Sequence, residues 1–324
     1  DGRISSFLQL ETEHKIDSPH ELIENDGLAF SGHYLMGQGF VVSEGEALRL
    51  CRLRGNADVI FPLIRGDDIN NTVAQTSGNY AINFSMRSLE ECQRNYPECL
   101  EIVRATVKPE RDLVKRKANK ERWWRYAEAR PGLESAARHL DQVIVLPFTA
   151  KYIFPTFVSA RSVFAHPIVV VVRPSPEVYA CLQSSVHELW VWQFCSTSLD
   201  LLRYTATTVL STFPFPSATN DLKRVGAEYY SYRQQLIRDR RVGLTEIYNL
   251  FHAESEVSQD ILQLRSLHQQ LNAAVIAAYG WPDVSASMGF FAAERLPKGK
   301  NVRFTLSGAI RRELLQRLLV LNLQ

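Results

Sequence analysis

The spacing of apolar positions changes character near Pro216. Upstream of it, short β-type runs alternate with helical stretches: VIFPLI at 59–64, YAINFS at 80–85, QVIVLPF at 142–148 and SVFAHPIVVVV at 162–172. A helix start follows, where Ser175 can cap, Pro176 suits the first helical position and Glu177 complements the positive helix end. The apolar positions Val178, Leu182, Leu189 and Trp192 then predict one helix over about 176–194. STFPFP at 211–216 carries two prolines that forbid helix or central strand, so it predicts a rigid extended turn and a domain junction at Phe213, Pro214, Phe215 and Pro216.

Beyond the junction the period becomes helical. Leu222, Val225, Tyr229, Tyr232 and Leu236 form one stripe, and Val257, Ile261, Leu264, Leu271, Val275 and Ala278 form another, with a shorter piece LTEIYNLFH (244–252) between them. Two stripes of this kind bury each other as a helical hairpin. The last stretch, 306–322, adds a helix through Ile310, Leu314 and Leu318. The expected fold is therefore α+β: a mixed α/β domain over 31–216 followed by a helical C-terminal domain over 217–324. Residues 1–30 are polar and aperiodic and read as a connector from an upstream domain.

Composition narrows the class. With 324 residues and 45% hydrophobic content the chain can bury a proper core, and 37 basic against 35 acidic residues leave only +2, so a nucleic-acid surface has to come from local clustering. Five cysteines without a C-x-x-C pair fit a reducing, cytoplasmic setting and structural thiols. The longest apolar run, Ala273 to Trp281, is far short of the ~20 residues that span a bilayer.

One cluster stands out. KPERDLVKRKANKERWWR (108–125) sets eight Lys or Arg against three acids. If Pro109 opens a continuous helix, Lys108, Arg111, Lys115, Arg122 and Arg125 share one face, and the stripe ends in Trp123, Trp124 and Tyr126, which suits phosphate contact with aromatic anchoring. RGDDINNT (65–72) reads as a turn or helix cap, because Gly, Asp and Asn are turn formers and no third carboxylate lies at a matching local spacing. Gly37-Gln-Gly39 lacks the third glycine of a dinucleotide loop and reads as a tight turn. Ser184, Ser185 and His187 point in different directions on one helix and sit outside any G-x-S-x-G elbow, and the eight histidines show no zinc spacing, so no catalytic residue and no metal ligand is assigned.

Several long stretches resemble the region downstream of the catalytic domain in MmeI-like type II restriction-modification enzymes, which join an N6-adenine methyltransferase to a target-recognition domain. The carriers are GHYLMGQGFVVSEGEA (32–47), NADVIFPLIRGDDIN (56–70), YPECLEIVRATVKPERDLVKRKANKERWW (96–124), LQSSVHELWVWQF (182–194), RYTATTVLSTFPFP (203–216), GLTEIYNLFH (243–252), LHQQLNAAVIAAYGW (267–281) and RRELLQRLLVLN (311–322). The ordered set R-Y-T, T-F-P-F-P and G-L-T-x-x-Y-N is its most specific part.

In that family the methyltransferase carries a glycine-rich S-adenosylmethionine loop and an N-P-P-Y type motif, and neither occurs in this sequence. The resemblance thus implies a sequence-specific duplex-DNA recognition module without a cofactor of its own, positioning an upstream methyltransferase domain that uses S-adenosylmethionine and flips an adenine out of the duplex. It also implies base-reading side chains within LPFTAKYIFPTF (146–157), at Thr149, Lys151 and Tyr152, with the 65–72 turn and the segment around Arg203 next in line. Lys108, Arg111, Lys115, Lys117, Arg122 and Arg125 would hold the DNA backbone. Two rivals are a metal-dependent nuclease using Asp67 and Asp68, which needs a third acid or a Lys, and a protein-interaction module acting through the helical tail.

Overall fold

The computed structural model describes residues 18–53, 55–76, 78–198, 201–293, 296 and 301–324; most of the expected connector lies outside them. The fold is α+β, and its contacts divide it into two units: residues 30–147 with 157–172, and residues 1–29 with 148–156 and 173–324.

In the first unit the apolar runs become strands. One sheet orders Val41–Ser43, Asn79–Ile82, Ile60–Ile64 and Val163–Phe164; its pairs are antiparallel, with Phe61 opposite Ala81, except the last, where Leu63 runs parallel to Val163. The other centres on Gln142–Pro147 and Ile168–Val171, antiparallel with Val145 opposite Val170. These two strands are apolar on both faces and almost wholly buried, which is why they read as continuous hydrophobic runs. Against the first sheet lie Phe40, Leu50, Phe84, Val103, Val107, Trp123, Trp124 and Tyr126, each in the same core. Each large apolar side chain enclosed this way contributes roughly 1.5–3 kcal/mol.

Gly37 takes φ +120° and Met36 +54°, the tight turn expected there. Two residues on, Gly39 passes so close to Thr106 that an added Cβ would sit 2.4 Å from its Oγ1.

The second unit is mainly helical. Asn220–Arg240 and Gln259–Ala278 bury Leu222, Val225, Tyr229 and Leu236 against Ile261, Leu264, Leu271 and Val275, as their stripes required. Val257, counted with the second stripe, precedes that helix and is exposed. Gly308–Leu323 forms the last helix, with Leu314 and Leu318 inside. A hairpin of Met288–Ala292 and Val302–Leu306 was not legible in the pattern.

Two expectations are corrected here. The helix predicted over 176–194 is two helices, Pro176–Gln183 and Ser185–Phe194. Ser184 leaves helical backbone at ψ 154°; its Oγ donates to the Cys181 carbonyl (2.7 Å) and accepts from the His187 N–H (3.2 Å), closing one helix and capping the next.

The expected boundary at Pro216 also moves. Residues 173–216 pack with the C-terminal helices: at Gly226 an added Cβ would stand 2.2 Å from the Pro176 carbonyl oxygen, so only glycine admits that helix crossing. The Asn25 amide donates to the carbonyls of Leu210 and Phe213, and the Tyr279 hydroxyl donates to that of Pro214. Phe213 is fully buried, edge-on to His187 and Phe215. The proline turn packs within one unit and is not a boundary between units.

Candidate nucleic-acid interface

The basic segment folds as two short helices, Lys108–Asp112 and Lys117–Glu121, with a break over 113–116. A single charged face therefore does not form, and the cations separate by environment. Arg111 is buried, donating 2.7 Å to the Leu35 carbonyl and 3.4 Å to that of Arg125. Burial also pulls its pKa below the usual guanidinium value. Arg111 is thus a post inside the unit and cannot meet a phosphate.

Arg125 donates to the carbonyls of Met86 and Arg87 and lies over Trp124, while Lys108 pairs with Asp112 at 2.8 Å. Trp123 and Trp124 belong to the core, so the expected aromatic anchor is not available. Exposed cations remain at Lys115, Arg116, Lys117, Lys120 and Arg122, with Lys117 only loosely paired to Glu121 at 3.6 Å. Arg116 and Lys120, absent from the set that the sequence suggested, are thus among the exposed cations.

In the other unit, Thr149–Ala150 is a short strand paired with Leu201–Arg203, which pairs in turn with Ser196–Ser198. The register sets Thr149 directly opposite Arg203; both are exposed, and the guanidinium lies over the Phe148 ring. Lys151 is half-buried and donates to Asn249 Oδ1 at 2.8 Å. Tyr152 is buried, its hydroxyl donating to the same oxygen and its ring stacked on His252, with Arg303 over it. Tyr152 therefore supports the strand and offers no edge to a base.

Asp68 accepts from the Arg65 N–H at 2.8 Å and caps the Gly66–Asn71 helix; burial raises its pKa. Asp67 is exposed, and no group of three or more His, Cys, Asp or Glu is placed to hold a metal ion among the described residues. The third acid that a nuclease needs is not found there.

A polar chain that sequence spacing missed runs between the helices. Ser185 Oγ meets His268 Nε2 at 3.2 Å, His268 Nδ1 meets the Tyr229 hydroxyl at 3.1 Å, and that hydroxyl meets Tyr248 at 3.0 Å. Asn272 accepts from the Ser185 N–H and donates to its Oγ. Every member is buried, and burial pushes His268 down to about 3. The chain cross-links helices.

No protein-family model matches the chain, and no curated protein does. Among solved structures the fold is similar to that of the type IIL restriction-modification enzyme MmeI in complex with DNA, with a TM-score of 0.61 over 91% of this chain at 14% sequence identity. The match takes up 35% of the MmeI chain, about a third of its length.

Proposed function

We propose that this chain is a duplex-DNA recognition module of a restriction-modification enzyme, positioning an S-adenosylmethionine-dependent N6-adenine methyltransferase domain of a longer polypeptide on its site. The observation that carries this reading is the likeness in fold, over nearly the whole chain, to an enzyme solved with DNA. The exposed cations of 115–122 agree with it, since phosphate contact requires solvent-facing Lys and Arg on a fixed support. Thr149, Arg203 and Lys151 are the side chains we assign to base edges; a cation suits the paired acceptors of guanine, and the threonine methyl suits thymine.

Replacing Lys115 and Arg122 by alanine weakens binding to every duplex alike and flattens the log–log salt dependence by roughly one unit per lost contact. Arg111→Ala instead destabilises the fold while leaving the salt slope of the folded fraction intact. Titrations at several salt concentrations measure both, and an unchanged slope in the double variant removes the segment from the interface.

Specificity has a separate readout. In the full-length enzyme, Arg203→Ala or Lys151→Ala relaxes the methylated sequence at one base-pair position, because a good bidentate contact discriminates by about 1–3 kcal/mol. Sequencing modified host DNA shows this. A motif unaltered in both variants places the base-reading surface elsewhere.

A further inference from the structure

Among the described large hydrophobic residues, Leu113 is the most exposed at 87%, followed by Ile23 at 86% and Val257 at 68%. Their charge settings differ. Ile23 stands among Glu21, Glu24 and Asp26, and Val257 among Glu254, Glu256 and Asp260. Leu113 opens the break between the two short helices and is followed at once by exposed Lys115, Arg116 and Lys117, while the preceding Asp112 is held by Lys108. A bare leucine at the head of a cationic loop complements a polyanion that has an apolar interior.

The loop is also held at both feet. On one side, buried Arg111 ties it to the Leu35 carbonyl, and the Leu113 and Val114 N–H groups donate to the carbonyls of Glu110 and Arg111. On the other, buried Asn119 donates from its side chain to Met36 Sδ and from its backbone to the Arg116 carbonyl. Its tip therefore meets a partner with little ordering left to do.

We propose that Leu113 is a wedge that inserts between base pairs of duplex DNA, with Lys115, Arg116 and Lys117 holding the phosphates on either side. The proposal rests on the DNA-binding reading above. Apolar wedges of this kind unstack a base step and bend the duplex, most readily at flexible pyrimidine–purine steps.

The test is relaxation of a closed circular plasmid by a topoisomerase in the presence of the whole chain, because unstacking changes the twist of bound DNA without requiring a known site. Wild-type protein shifts the topoisomer distribution. Leu113→Ala, whose side chain is too exposed to matter for folding, binds about tenfold more weakly, and at matched occupancy leaves the distribution where free plasmid has it. Lys115→Ala reaches the wild-type shift at higher protein concentration.

An equal shift by bound Leu113→Ala, or no shift by bound wild type, overturns the wedge while leaving DNA binding intact. Failure of the wild-type chain to retain plasmid at low salt removes the DNA-binding reading itself. Capture of phosphatidylserine vesicles in place of plasmid, abolished by Leu113→Ala, reassigns the leucine to a lipid surface and also overturns the proposal.

Discussion

Arg233→Ala should lower the unfolding free energy of the unit that includes residues 148–156 and 173–324 by about 3–5 kcal/mol, the cost of deleting a large, fully buried side chain together with its charge-assisted hydrogen bonds. Arg233 has no exposed surface; it donates to Gln183 Oε1 at 2.8 Å and to the Pro155 carbonyl at 2.7 Å, and it lies over the rings of Tyr179 and Tyr230. Alanine leaves a cavity, takes the donor from the Pro155 carbonyl and leaves Gln183 Oε1 only the Tyr179 hydroxyl at 3.5 Å. Arg233→Met fills most of the space without bringing in a charge, so it should cost less. Urea titration followed by far-ultraviolet circular dichroism measures both, and a loss below about 1 kcal/mol for alanine would be out of keeping with these buried hydrogen bonds.

Acid should unfold the same unit earlier than its carboxylates alone would. Burial pushes His187 and His268 down to about 3, from an ordinary value of 6.5. Burial, reinforced by Arg303, His268, Arg265 and Lys151, holds His252 well below that value as well. All three are neutral when folded and take up protons near pH 6.5 when unfolded. Their contribution is therefore whole above the unfolded value and is lost as pH falls from there toward the folded values. Each costs about 1.4 kcal/mol per pH unit inside that window. Together they remove about 4 kcal/mol per unit, against a total stability of about 5–15 kcal/mol. The urea midpoint, measured between pH 7.5 and 5, should fall steeply, and His187→Gln or His268→Gln should each flatten the slope whatever the variant costs at neutral pH. A midpoint independent of pH would mean that these imidazoles are reached by water.

Much of this architecture can be read from spacing, because burial imposes a period. The stripes through Leu222 and Leu264 became helices, and the runs at 59–64, 80–85 and 142–148 became strands, since each presents apolar faces to a core. What escaped depends on single polar atoms. Ser184 breaks a helix because its hydroxyl serves two backbone groups at once, an event without a signature in hydrophobic periodicity. Arg111 looks like one more surface cation until the Leu35 carbonyl claims it. The prolines at 214 and 216 suggest a domain junction, yet Phe213 beside them is buried. The pairing of Thr149 with Arg203 joins segments far apart in the chain, and nothing local in either announces the other.

The division of the chain has a consequence for anyone wishing to exchange one unit between related proteins. The backbone passes between the units at 29–30, 147–148, 156–157 and 172–173, so neither unit is one uninterrupted stretch. A graft bounded at 30 and 172 carries residues 148–156 with it, among them Pro155 and Thr156, whose oxygens receive Arg233 from the recipient. Chimeras cut at the proline turn of 213–216 would instead sever a packed core. Productive seams lie at 30 and 172, with 148–156 kept from the recipient so that its strand, its buried tyrosine and the arginine that grips it remain matched.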